Sequence, residues 1–305
     1  MLLDAASLYF RAFYGVPTSI TTPDGRPINA VRGFLDMTAR LLTTHRPDRL
    51  VACWDDDWRP AFRVEALPSY KAHRVAPEGG EEVPDELSPQ VPVLIEVLAA
   101  AGIDRVGAAG YEADDIIGTL ATRARGPVDV VTGDRDLFQL VDDARGIRVL
   151  YTARGIADIE LVDEAAVAAK YGIPGRSYAD FAVLRGDPSD GLPGVAGVGA
   201  KTAAALINEF GDLAGIRDAV ARTVVPRPPL TAAVLKKMHA AGAYLDAAPV
   251  VVAVACDIDL PPIEGTLPRS PADPAALAGL AAAHGLESAL RRLGAALGWP
   301  EDAVG

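Results

Sequence analysis

Residues 112–115 read Glu-Ala-Asp-Asp, so three carboxylates occupy four consecutive positions just before an apolar run, Ile-Ile-Gly-Thr-Leu. In a helical first turn, Glu112 and Asp115 share one side. Two carboxylates ~4 Å apart at an effective dielectric near 20 repel by about 4 kcal/mol. Acids in a first helical turn are also ordinary complements of the helix dipole, so this motif alone reads as capping as readily as chemistry. More acids share the pattern, however. Asp4 follows Met-Leu-Leu, Asp55 follows Val-Ala-Cys-Trp, and Asp134 follows Val-Val-Thr-Gly with Asp136 two residues on. A lone aspartate after a strand is often only a turn residue. Repetition in several separate segments weakens that reading. Hard carboxylate oxygens converging at one place suit Mg²⁺ or Mn²⁺, which would neutralise the repulsion.

The elements that would bring these acids together are legible as hydrophobic patterns. Residues 2–4, 49–55, 128–134 and 147–152 read as strands, while 28–44, 92–102 and the segment opening at 112 read as helices. Strands alternating with helices imply an α/β fold with a mostly parallel, twisted sheet flanked by helices. Ligands of such sheets collect beyond the carboxyl ends of the strands. Three of the strands here end in aspartate at that edge. From about residue 177 the chain turns to Ala-rich helices with Gly/Pro breaks, interrupted by a strand-like run at 249–256. A domain change is expected near 175, giving a sheet domain over 1–175 and a helical domain over 176–305. The basic, then acidic, Gly/Pro-containing stretch 59–90 is expected to be a mobile insertion.

Composition sets outer bounds. The chain has 305 residues, 50% of them hydrophobic and 6% aromatic, enough for a large aliphatic core. Two cysteines without CxxC spacing read as free thiols of a cytoplasmic protein. Asp4 interrupts the N-terminal apolar stretch, which argues against a signal peptide, and no segment approaches a membrane span. The net charge of −12 would argue against nucleic acid, unless bound cations offset a carboxylate cluster.

A further motif, RGDPSDGLPGVAGVGAKTAAALINEFG at 185–211, adds Asp187 and Asp190 and then a glycine series, Gly194, Gly197 and Gly199, that opens a helix near Ala200. Such a turn offers backbone N–H groups to phosphate. It is not a Walker A loop, because Ala200 separates Gly199 from Lys201 and no strand precedes it. The bland alternative is a tight helix–helix connection with structural glycines.

Five blocks in this order, LLDAASLYFRAFYG, FRVEALPSYKAHR, GYEADDIIGTLA, TGDRDLFQL and RGDPSDGLPGVAGVGAKTA, resemble the 5′-nuclease family. That family comprises flap endonucleases and the 5′–3′ exonuclease domain of bacterial DNA polymerase I, and the likeness runs over about 1–260. The resemblance implies a PIN-like sheet with a helical arch at about 59–90 and a helix–two-turn–helix DNA-binding motif at about 184–211. It implies metal ligands at Asp4, Asp55, Glu112, Asp114, Asp115, Asp134, Asp136, Asp187 and Asp190. It also implies arch cations at Lys71 and Arg74 acting near the scissile phosphate, with Arg63 and Tyr70 meeting DNA beside them. Gly197, Val198, Gly199, Lys201 and Thr202 would grip duplex backbone, and K⁺ could sit at the 197–199 turn. The activity implied is two-metal hydrolysis of DNA near 5′ ends, flaps, nicks or gaps, in replication or repair, by a monomer. Arg135 stands where many relatives have Lys. Tyr14 is a second candidate for stacking on a base. A PIN-domain ribonuclease would not need the 185–211 segment. A haloacid-dehalogenase-type phosphatase would leave most acids unexplained, and Phe138 takes the place of its threonine. A DNA-binding scaffold with vestigial metal sites would not need the full acid set.

Overall fold

The computed structural model describes residues 1–300 and 303. Its centre is a six-stranded sheet in the order β3-β2-β1-β4-β5-β6. The strands are β1 (Leu2–Asp4), β2 (Val51–Cys53), β3 (Asp104–Val106), β4 (Val128–Thr132), β5 (Ile147–Tyr151) and β6 (Glu160–Val162). All pairs are parallel except β5–β6. Strand order runs outward in both directions from β1 and β4, so the crevice where a ligand belongs opens between these two central strands.

Side chains alternate across the sheet as the period of two requires. Leu2, Val51, Cys53, Val130 and Val149 enter one core layer, whereas Leu3, Ala52, Val131 and Leu150 enter the other. Helices α1 (Ala5–Gly15), α2 (Asn29–His45), α3 (Ala61–Ala66), α4 (Gln90–Ala101) and α5 (Ala113–Arg123) lie between the first four strands. Gly102 ends α4 in the left-handed conformation with φ 80°, the C-terminal glycine cap its sequence announces. Segment 59–90 is helical only in α3 and a short 3₁₀ turn at Ala72–Arg74; the rest of the expected arch is irregular.

After β6 come α6 (Glu164–Tyr171), α7 (Tyr178–Arg185), α8 (Ala200–Phe210), α9 (Leu213–Arg222), α10 (Ala232–Ala240), α11 (Gly242–Val252), α12 (Pro274–His284) and α13 (Glu287–Leu297). Residues of α5, α7, α8 and α11 share one continuous core layer with the sheet. The last two helices do not stay with the other C-terminal helices; α12 packs on α4 and α13 on α2, covering the sheet's other face. Among the described residues no helix is long and apolar enough to cross a membrane.

The expected strand at 249–256 is instead the end of α11 followed by an extended strap. Leu245, Ala248, Val251 and Val252 are buried at helical spacing, and this face packs on α7 and α3. Tertiary burial outweighs both the β-branched run and Pro249, which sits inside the helix. The strap crosses α5 closely: Thr119 Oγ1 donates to the Ala255 carbonyl at 3.3 Å, and a Cβ on Gly118 would lie 2.6 Å from that same oxygen. A Gly→Ala change inside a helix ordinarily gains up to about 1 kcal/mol. Here the clash is with backbone, and overpacking costs about 1–3 kcal/mol. Gly118→Ala is therefore expected to lower the urea midpoint of unfolding.

Candidate metal centre and nucleic-acid interface

The nine acids come from five segments: the ends of β1, β2 and β4, the start of α5 and the turn between α7 and α8. Asp4 ends β1 and caps α1, its Oδ1 accepting from Ser7 N at 3.0 Å. Its Oδ2 accepts from Thr132 Oγ1, at the end of neighbouring β4, at 2.6 Å. Burial, then the charge of Asp55, pushes its carboxyl up to about 7. Asp55, just beyond β2, accepts from Ala113 N at the start of α5 at 2.6 Å, and burial raises its pKa as well. Asp114 is raised by burial and then by Asp134 and Asp4. Asp134 Oδ1 accepts from Asp136 N at 2.8 Å. Burial, then Asp134, Asp190 and Asp187, raises Asp136, whose Oδ1 is buried with no hydrogen-bond partner.

Asp187 and Asp190 come from the turn between α7 and α8. Asp187 caps the 3₁₀ turn at 188–190 and lies 3.4 Å from Arg135 Nη2 and 3.5 Å from Arg185 Nη2. Asp190 pairs with Arg74 Nη2 at 3.0 Å. Burial lifts its carboxyl to about 6, with Lys71 opposing the rise.

Glu112 and Asp115 are engaged differently. Glu112 is gripped by Arg63 and Lys71 and accepts from Tyr70 Oη at 2.8 and 3.0 Å. Burial would lower the Lys71 pKa, but Glu112, Tyr70 and Asp190 together outweigh it and hold the ammonium charged. Asp115 is fully buried on a bidentate fork from Arg63, both bonds 2.7 Å. The crowding in Glu-Ala-Asp-Asp is thus relieved here by side-chain cations. Among the described residues, no three acidic side chains close on one metal-sized point in this arrangement.

Two residues expected to meet DNA do not face outward. Arg63 is 2% exposed and Tyr70 4%, because both side chains turn inward to Glu112. Lys71 and Arg74 lie beside the acids, paired with Glu112 and Asp190. Tyr14, by contrast, is 73% exposed at the end of α1. The 197–202 segment forms its own feature at the start of α8. The Val198 side chain enters the core, while Gly197, Gly199 and Lys201 are exposed and Thr202 is half-buried. No side chain caps α8. Within the 197–199 turn, the expected place for K⁺, the Gly197 carbonyl accepts from Lys237 Nζ at 2.7 Å.

Sequence reading missed Ser7, Arg11 and Thr132. Thr132 Oγ1 also accepts from Asp134 N at 2.8 Å, joining the Asp4 and Asp134 loops. Ser7 Oγ accepts from Gly133 N at 2.8 Å, and Arg11 follows one helical turn later with its Nε buried and unpartnered. The only signal was their placement beside Asp4 and Asp134.

The model for the N-terminal, resolvase-like domain of 5′–3′ exonucleases matches residues 1–172, and that for their C-terminal SAM fold matches 173–275. The chain belongs to the 5′–3′ exonuclease family. It is 62% identical to a 5′–3′ exonuclease of Streptomyces coelicolor over 96% of this chain and 98% of the relative. It is 53% identical to one of Mycobacterium tuberculosis over 97% of each. Its fold is similar to that of the bacteriophage T5 D15 flap endonuclease, solved as a pseudo-enzyme-product complex with DNA and metal ions. That match has a TM-score of 0.61 at 18% identity and covers 83% of this chain and 88% of the phage protein.

Asp4 and Asp190 give the family member a pH signature. Their folded pKa values, about 7 and about 6, lie above the ordinary 3.8, so the folded chain holds protons that the unfolded chain has released. Stability without divalent ions should therefore fall as pH rises from about 4 to about 7. Urea unfolding in EDTA at stepped pH would show this, and added Mn²⁺ should restore the loss at the upper end.

Proposed function

We propose that this chain is a divalent-metal-dependent, structure-specific 5′–3′ exonuclease and 5′-flap endonuclease that hydrolyses DNA phosphodiesters near 5′ ends, acting as a cytoplasmic monomer in replication or repair. The observation that carries the reading is the gathering of acids from the ends of β1, β2 and β4, the start of α5 and the α7–α8 turn, with Lys71 and Arg74 reaching in from segment 59–90.

The donor set fits hard divalent cations. It is all oxygen, it is largely buried, its members raise one another's pKa, and Asp136 Oδ1 lacks any partner. Mg²⁺ or Mn²⁺ held there would activate water and steady the charge that develops on the phosphate and leaving oxygen. Asp4, Asp55, Asp114, Asp134 and Asp136, none of them in an ion pair, are the first candidates to hold ions, with Asp187 and Asp190 at the second side of the edge.

Lys71 and Arg74 supply positive charge at the same edge. Turning from Glu112 and Asp190 toward a phosphate would let them offset its developing charge. Their present partners keep the ammonium and guanidinium close to where that charge would form. Duplex binding is assigned to 197–202. The uncapped start of α8 leaves backbone N–H groups free for phosphate, and exposed Lys201 adds charge, so the grip is on backbone and not on sequence. A K⁺ ion at this turn would have to share or displace the Lys237 contact at Gly197.

Cleavage of a 5′-labelled flap in Mn²⁺ tests the reading. The unsubstituted chain should cut, Asp134→Asn should lose activity by about 100-fold or more, and Lys71→Met should lose about 10²–10³-fold while flap affinity changes little. Flap binding without cutting by the unsubstituted chain would favour a DNA-binding scaffold, and preference for RNA a ribonuclease. Separately, Lys201→Ala should weaken flap binding for every sequence alike and reduce the slope of log affinity against log salt by about 1.

A further inference from the structure

Arg63 is the one buried residue of α3, a helix of six residues. A guanidinium has five N–H donors, and each of them is occupied here. Nε donates to the Val251 carbonyl at 3.0 Å. Nη1 serves Glu112 Oε2 and, at 2.7 Å, Asp115 Oδ2. Nη2 serves Asp115 Oδ1 at 2.7 Å and the Ala253 carbonyl at 3.4 Å. Nothing remains for a phosphate. The Phe62 ring, 5.0 Å from the guanidinium carbon, covers the group further.

Asp115 is equally committed. Oδ1 accepts from Arg63 and from Ala255 N at 2.8 Å, and Oδ2 accepts from Arg63 and from Glu112 N at 3.2 Å. Four donors on two oxygens fill the carboxylate's acceptor sites. Resting on the metal-dependent reading above, we infer that Arg63 is a positioning residue and that Asp115 is its anchor, not a metal ligand. Arg63 holds Glu112 in place for the cation site and ties the 251–255 strap, and with it the end of α11, to the start of α5. Lysine could supply the charge but not five directed donors. The metal-facing acids therefore number fewer than the nine that the family pattern suggests.

Two properties separate this role from DNA contact. In a Mn²⁺ titration followed by the EPR signal of the free ion, Asp115→Asn should bind as many ions as the unsubstituted chain, with affinity weakened no more than in Arg63→Gln, whereas Asp114→Asn should lose an ion. Arg63→Gln should weaken Mn²⁺ binding about tenfold or more but leave metal-free flap affinity within about twofold, with partial recovery in Arg63→Lys. Loss of an ion in Asp115→Asn to the extent seen in Asp114→Asn, or a fall in flap affinity with unchanged Mn²⁺ binding in Arg63→Gln, would overturn the assignment. Should these variants fail to fold, crystals of the unsubstituted chain grown with Mn²⁺ decide. An intact Arg63–Asp115 fork with no ion within about 2.5 Å of Asp115 supports it, and a coordinated Asp115 refutes it. Absence of any Mn²⁺ uptake by the unsubstituted chain would sink the metal reading of the site, and Arg63 would then be judged on flap affinity alone.

Discussion

Like charges held together in a poorly solvated place dominate this molecule. A pair of carboxylates ~4 Å apart costs about 4 kcal/mol at a moderate effective dielectric, a large share of a domain's net stability. The protein meets that cost in two different ways along one edge. Glu112, Asp115, Asp187 and Asp190 each face arginine or lysine. Asp4, Asp55, Asp114 and Asp136 have no ion pair, and their pKa values rise instead. Protonation is a weak substitute for a cation at neutral pH. The uncompensated half is therefore where a divalent ion would gain most, and the compensated half forms a frame around it.

The fold was legible wherever burial on both faces forced a continuous apolar run, as in β1, β4 and β5. It was not legible at β3 and β6, because Asp-Arg-Val and Glu-Leu-Val are short edge strands whose charged residues face solvent. The 249–256 run misled for a related reason. An Ala/Val-rich segment has no period that separates a buried helix from a strand, and packing against α3 and α7 decides it. At the site, residue type revealed the acids, since few other arrangements place aspartates after three parallel strands. Their partners were hidden. Arg63, Tyr70 and Lys71 lie 49, 42 and 41 residues from Glu112 along the chain, and a basic cluster in the sequence reads equally well as facing DNA or facing acids. Only the inward turn of α3 separates these readings.

That inward turn also explains how segment 59–90 is anchored. Arg63 fixes its beginning through five hydrogen bonds made by a buried side chain. Residues 69–74 are tied to the α7–α8 turn as well: Ser69 Oγ donates to the Gly191 carbonyl at 2.9 Å, Lys71 N to the Asp190 carbonyl at 3.0 Å and Arg74 Nη2 to the Ser189 carbonyl at 2.7 Å. Gly191, at φ 74°, permits this approach; a Cβ there would lie 2.1 Å from the Ser69 carbonyl oxygen. Lys71 itself holds a left-handed backbone, φ 46°, which is strained for a side-chain-bearing residue. Partly exposed hydrogen bonds contribute only about 1 kcal/mol each, so a phosphate that attracts Arg74 can outcompete those that Arg74 makes, whereas Lys71 is also held by its buried pair with Glu112. The segment is thus held firmly from Arg63 to Lys71, where it orders Glu112 and Asp115, and more lightly at Arg74. The same contacts join residues 69–74 to the turn that leads into residues 197–202, the proposed duplex grip.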